Sequence, residues 1–240
     1  EMSVQISIIG LGQIGASVGL ALADKTNLLR RVGYDRSSEV ARRAEKMGAL
    51  DKVEFNLPAA VRNADLVLLA VPMDQIRETL DLIAAELKEG AVVMDTAPVK
   101  SSVIAWTEEH LPLGRYYIGL TPVINPVYLL DAATGVEAAH ADLFQSGVMA
   151  IVAPSRSNSE AIKLATDFTK LIGSAPLFID PLEVDSLMSA IHLLPHLLAV
   201  ALLHVTVYQP GWREARKLAG KAYAKMTGLA THQGEMQGMS

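Results

Sequence analysis

Val4-Gln5-Ile6-Ser7-Ile8-Ile9 runs straight into Gly10-Leu11-Gly12-Gln13-Ile14-Gly15, and a helix-forming segment from Ala16 to Ala23 follows. The short β-branched run predicts a buried strand. Three glycines at G-x-G-x-x-G spacing then make a tight turn into a helix. Gly10 permits the turn, Gly12 lets backbone approach a pyrophosphate, and Gly15 lets helix and strand pack closely. The backbone of the whole loop, Leu11, Gln13 and Ile14 included, would face the anion with its N–H groups and the positive helix end.

A glycine-rich turn alone is weak, so the context decides. A second strand-like run, Arg31-Val32-Gly33-Tyr34, ends in Asp35, 20 residues after Gly15. An acid there accepts hydrogen bonds from the adenosine ribose hydroxyls and repels a 2′-phosphate, which predicts NAD over NADP. Arg36, Ser37 and Ser38 follow it and offer the alternative of gripping a 2′-phosphate. The predicted fold class is α/β, a Rossmann-type doubly wound, mostly parallel sheet followed by an all-helical C-terminal dimerisation domain.

The rest of the chain supports that class. Asp65 to Pro72, Ala91 to Asp95 and Tyr116 to Leu120 are near-continuous apolar strands, separated by helical segments at Asp74 to Leu87 and Ser101 to Leu111. Such a pattern implies a parallel sheet covered on both faces. Val148 to Ala153 and Pro176 to Ile179 would extend it, with a helix from Ser159 to Ile172 between them. At Asp180-Pro181 the pattern becomes helical only, first to about Tyr208 and then over Arg213 to Thr227. The expected domains are residues 1–180 for the nucleotide and 181–240 for substrate and dimerisation, the latter expected to be incomplete at its C-terminus.

Composition narrows the function. The chain has 240 residues, half of them apolar, a net charge of −5 and no cysteine. That charge gives no footprint for nucleic acid, and the missing cysteines remove thiolate nucleophiles and fit a cytoplasmic setting. The apolar stretch Leu187 to Tyr208 is about long enough to span a bilayer. It carries His192, His196, His204 and Pro195, which suit the centre of a soluble helical domain better. A helix of that kind needs partners, and a homodimer would supply them. His192 and His196 share a helix face, but no third ligand completes a metal site.

Three segments should line the cofactor cleft at the strand ends: Ala70-Val71-Pro72, Asp95 to Lys100, and Gly119 to Pro122. Ligands bind just outside those ends. Val71 and Pro72 are placed against the cofactor. Lys100 offers a cation to substrate, with a solvated helix-start lysine as the bland alternative, and Asp95 reads as a cap.

These segments, with Ser189-Ala190-Ile191-His192-Leu193-Leu194-Pro195-His196-Leu197-Leu198-Ala199, resemble the prephenate/arogenate dehydrogenase family over nearly the whole chain. The resemblance implies oxidation of the ring hydroxyl of a small carboxylic acid by NAD(P), with loss of carbon dioxide, on the route to tyrosine. It implies that His196 lines the substrate pocket, that Arg216 binds a substrate carboxylate, and that Lys100 is the lysine of the family's Asp-x-x-Ser-Val-Lys segment. His192 and Asn125 are placed with the substrate on the same likeness. The departures fall at the chemistry. Pro98 stands where the family has serine, and Thr121 where it has the catalytic histidine of Gly-x-His-Pro-Met-x-Gly; Val123 and Asn125 replace the methionine and glycine. Threonine donates a hydrogen bond but takes no proton near neutral pH. A dehydrogenase or reductase for another hydroxyacid or imine, or an NAD-binding protein without catalysis, are the other readings.

Overall fold

The computed structural model describes residues 4–25, 28–131 and 133–231. Eight strands form one sheet in the order β3-β2-β1-β4-β5-β6-β7-β8. They are β1 (Val4–Ile9), β2 (Leu29–Tyr34), β3 (Lys52–Val53), β4 (Leu66–Leu69), β5 (Val92–Asp95), β6 (Tyr116–Pro122), β7 (Val148–Val152) and β8 (Ala175–Phe178). The first six run parallel. Strand order reverses between β1 and β4, which opens a crevice at their carboxyl ends.

Period-two alternation divides the core between the two faces. Ile6, Ile8, Leu66, Leu68, Val92, Met94, Ile118 and Leu120 pack with residues of α1 (Gln13–Ala21), α2 (Ser38–Lys46) and α6 (Ser159–Leu171). Ile9, Val67, Leu69, Val93 and Tyr117 pack on the opposite face with α3 (Leu57–Val61), α4 (Met73–Ile83) and α5 (Ser101–His110). Burial on both faces explains why the central strands read as unbroken apolar runs.

The two-residue strand β3 has no counterpart in the sequence pattern, because two residues carry no periodicity. The sheet is mostly parallel as expected, with one antiparallel junction whose direction the sequence leaves open. β7 pairs with β6 antiparallel, Thr121 opposite Ala150, and β8 then runs parallel to β7. An antiparallel return makes the β6–β7 connection start and end at the carboxyl end of β6. The connection's turn at Gly135–Ala138 packs on α1 and α2. The amide of His140 donates to Ser17 Oγ on α1 at 3.0 Å, and Arg43 on α2 pairs with Glu137.

Beyond β8 the chain is helical. Asp180 caps α7 (Pro181–Met188) by accepting from the amide of Leu182, with Pro181 at the first turn. A π turn over Ser189–Leu193 joins it to α8 (Leu194–Val207) in one 27-residue helical run. Pro195 lies just beyond the π turn and lacks the N–H that a regular ladder would require; the widened turn accommodates that loss. The expected single helix from Arg213 to Thr227 is instead two, α9 (Trp212–Leu218) and α10 (Lys221–Gly228), parted at Ala219-Gly220. The run from Pro181 to Val207 is long and apolar enough to cross a membrane by length and composition alone. In the single chain its apolar side chains lie largely exposed, Ile191 at 68% and Leu198 at 54%, and only Ala199 of α8 is buried.

Candidate active site

Two of the three loop glycines answer a steric requirement, and the third leaves open space. Gly10 sits at φ +90°, and a Cβ there would lie 2.4 Å from the carbonyl oxygen of Ala70. A Cβ on Gly15 would lie 1.9 Å from the Gly10 carbonyl oxygen, so α1 approaches β1 only because Gly15 is bare. Gly12 differs: nothing lies within 4 Å of its would-be Cβ. This open side adjoins the start of α1, where no side chain caps the helix and no acid occupies the first turn among the described residues. The end is left to an anion. Leu11 and Ile14 turn their side chains into the core while Gln13 opens the helix, so the loop presents backbone.

Asp35 follows β2 beside this loop. Its Oδ2 accepts from the amide of Leu11 at 2.8 Å, and its Oδ1 from the amide of Ser37 at 2.8 Å. Each carboxylate oxygen keeps a lone pair for a further donor, as two ribose hydroxyls would require. The bare glycines, uncapped helix and fixed acid together fit a dinucleotide. Ser37 is committed to capping α2 through the amide of Val40. Arg36 is paired to Glu78. Val71 is half-buried, and the exposed Pro72 starts α4.

Lys100 requires a correction. Its side chain has no exposure, and its ammonium meets Asp95 Oδ2 at 2.8 Å, Asp95 Oδ1 at 3.0 Å and the Leu120 carbonyl at 2.6 Å. All three donors are spent inside the protein, so Lys100 is not a cation presented to substrate. Burial pushes its ammonium below the ordinary lysine range, against the pull of Asp95. Tyr117 donates its phenolic hydroxyl to Asp95 Oδ1 at 2.6 Å, and burial beside that carboxylate raises its pKa well above the usual value. Asp95 also caps its own loop by accepting from the amide of Ala97. Gly119 makes this packing feasible, since a Cβ there would stand 2.8 Å from Lys100 Cδ.

Thr121 follows Leu120 on β6, nearly buried, with its hydroxyl 3.4 Å from the Ala97 carbonyl. Asn125 organises a turn, accepting from the amide of Val127. His192 lies in the π turn and His196 on α8, where its Nδ1 is 2.7 Å from the His192 carbonyl and the two rings are 5.1 Å apart. Arg216 is exposed on α9. The structure therefore gathers the cofactor candidates and Thr121 at the strand ends, and carries His192, His196 and Arg216 on the helical segment.

Sequence reasoning missed the link between these groups. Asp185, on α7, accepts from the amides of Lys100 at 2.6 Å and Ser101 at 2.9 Å. It caps α5, whose own N-cap residue provides no side-chain bond. Nothing in the sequence signals a cap supplied from 85 residues away. Val184 adds a buried contact to Ala150 and Val152.

Residues 18–176 match the family model of the prephenate dehydrogenase nucleotide-binding domain. The chain belongs to the prephenate dehydrogenase family. The match begins after the glycine loop, whose reading rests on its own geometry. The chain is 30% identical over 200 residues to cyclohexadienyl dehydrogenase of Zymomonas mobilis, covering 82% of this chain and 66% of that protein. It is 24% identical over 233 residues to prephenate dehydrogenase of Bacillus subtilis, covering 96% of this chain and 62% of that protein. The chain thus spans less than two thirds of the length of these relatives. Its fold superposes on prephenate dehydrogenase from Aquifex aeolicus, solved with hydroxyphenyl propionate and NAD+, with a TM-score of 0.83 at 20% identity, covering all of this chain and 86% of that one. For Synechocystis arogenate dehydrogenase the TM-score is 0.74 at 20% identity, covering 98% and 87%.

Proposed function

We propose that this member of the family is an NAD-dependent dehydrogenase that oxidises prephenate, arogenate or a closely related cyclohexadienyl acid. The observation that carries the reading is the glycine loop beside Asp35, open at Gly12 and uncapped at α1. The amides of the loop and of the first turn hold the pyrophosphate, and Asp35 accepts from the adenosine ribose hydroxyls. Bound NAD supplies the hydride acceptor. Arg216 binds a substrate carboxylate, as an arginine fork does best. Thr121 donates a hydrogen bond at the reacting hydroxyl, and His196 receives the hydroxyl proton. Hydride leaves the carbinol carbon for the bound acceptor, the bond to the ring carboxylate breaks with its electron pair entering the ring, carbon dioxide departs, and the resulting phenolate oxygen takes the proton back from His196.

Titration of the purified protein with NAD, then turnover with prephenate and with arogenate followed as NADH absorbance and released carbon dioxide, tests this reading. The expected result is NAD binding and product formation with one of the two acids. Thr121 favours a second reading, in which the same fold serves another hydroxyacid or an imine. Inertness toward both acids with turnover of such a substrate selects it, and NAD binding with no turnover on a broad panel selects a non-catalytic nucleotide-binding protein.

The same proposal makes the protein a cytoplasmic homodimer. Ile191, Leu197, Leu198 and Val205 lie exposed on one long helical run, and a second copy of that run would bury them at roughly 25 cal/mol per Å² of apolar surface. Sedimentation should show a dimer, and Leu198→Glu should shift it toward monomer. A monomeric wild-type chain would remove the assignment.

A further inference from the structure

The alternative raised by Arg36 turns on its partner. Arg36 follows Asp35 directly and is the one cation among residues 36–38, so it is the group placed to meet a 2′-phosphate on the adenosine ribose. The structure instead ties its guanidinium Nη2 to Glu78 Oε2 at 2.5 Å. Glu78 stands on α4, the helix that follows β4 across the crevice from β2. The cation of α4 itself, Arg77, is engaged by Glu109 of α5 at 3.1 Å. Ser37 is spent on the α2 cap.

Resting on the dinucleotide reading above, we propose that Glu78 is a specificity-determining residue, which holds Arg36 away from the ribose and so enforces NAD over NADP. The discrimination then has two parts. Asp35 sets a carboxylate where the 2′-phosphate would sit, and Glu78 removes the arginine that would neutralise it. Asp35, Arg36 and Glu78 together carry one net negative charge; without Glu78 the group is neutral and Arg36 is released. The Arg36–Glu78 pair is exposed, with side chains 55% and 63% accessible. Such a pair adds little to folding stability, so its removal can alter selectivity without disturbing the fold.

Dissociation constants for NAD and NADP, measured calorimetrically without substrate on the wild type, on Glu78→Gln and on Arg36→Gln/Glu78→Gln, decide the matter. The wild type should prefer NAD. Glu78→Gln should tighten NADP by about fivefold at most, the ceiling set by an exposed pair worth no more than about 1 kcal/mol, and leave NAD within about twofold. The gain should vanish in the double variant and shrink as salt rises, because exposed charges are screened over about 8 Å at physiological ionic strength. An unchanged NADP-to-NAD ratio in Glu78→Gln overturns the proposal, and so does a gain that survives loss of Arg36. Wild-type protein that binds neither dinucleotide fails at the earlier step and overturns the nucleotide reading as well.

Discussion

Replacing Lys100 with methionine should cost about 3–5 kcal/mol of folding stability, the usual penalty for removing one partner of a buried ion pair. Methionine fills the path of the aliphatic stem past Gly119. It leaves Asp95, which has no exposure, with only the Tyr117 hydroxyl and the Ala97 amide as donors. The Leu120 carbonyl loses its bond to the ammonium as well. Urea unfolding followed by circular dichroism would register the loss as a lower midpoint. Lys100→Met/Asp95→Asn should recover much of it, because the stranded charge is then gone. A loss below about 1 kcal/mol in the single variant, the range of an exposed pair, would show that Lys100 is solvated and available to a ligand after all.

That cluster shows where sequence reading stops. The sequence places the Asp95 to Lys100 segment just beyond a strand, and the structure has it between β5 and α5. Whether the lysine points out to substrate or inward to Asp95 depends on Tyr117 and the Leu120 carbonyl, 17 and 20 residues further on. Gly119 reads in sequence as part of a strand end, and its steric purpose is to let the lysine stem through. By contrast, the glycine loop, Asp35 and the period-two core were legible because each is local. A turn, a strand end and an alternating pattern are written within a few consecutive residues. The reversal of β7 was hidden for the opposite reason, since an apolar strand buried on both faces has the same composition in either direction. Its consequence is positional, because the β6–β7 connection starts and ends at the same end of the sheet as Thr121. Asp185 and Glu78 are ordinary helix-surface acids in sequence, and each acquires its meaning only from an element brought alongside by the fold.

The second large effect is expected at Thr121. Thr121→His should raise turnover of prephenate by about 10²-fold, the lower range for a positioned acid–base group. Threonine can only donate a hydrogen bond near neutral pH; imidazole can hold the hydroxyl proton while hydride leaves the same carbon. The site allows the test to be read. Thr121 is 6% exposed and pairs across the sheet with Ala150, whose small side chain leaves the opposite strand undemanding. Its hydroxyl makes one long contact, 3.4 Å to the Ala97 carbonyl, so little hydrogen bonding is sacrificed. The pH profile supplies the sharper criterion. A base must be unprotonated to act, so the added rate should fall away as pH drops through the ordinary imidazole range near about 6.5. A rate increase without that pH limb would assign the gain to altered substrate fit rather than proton transfer. A variant that binds NAD as the wild type does, yet gains neither rate nor pH limb, would place Thr121 away from the reacting hydroxyl. His196 would remain the proton acceptor, and the hydrogen bond from Thr121 to the reacting hydroxyl would drop out of the mechanism.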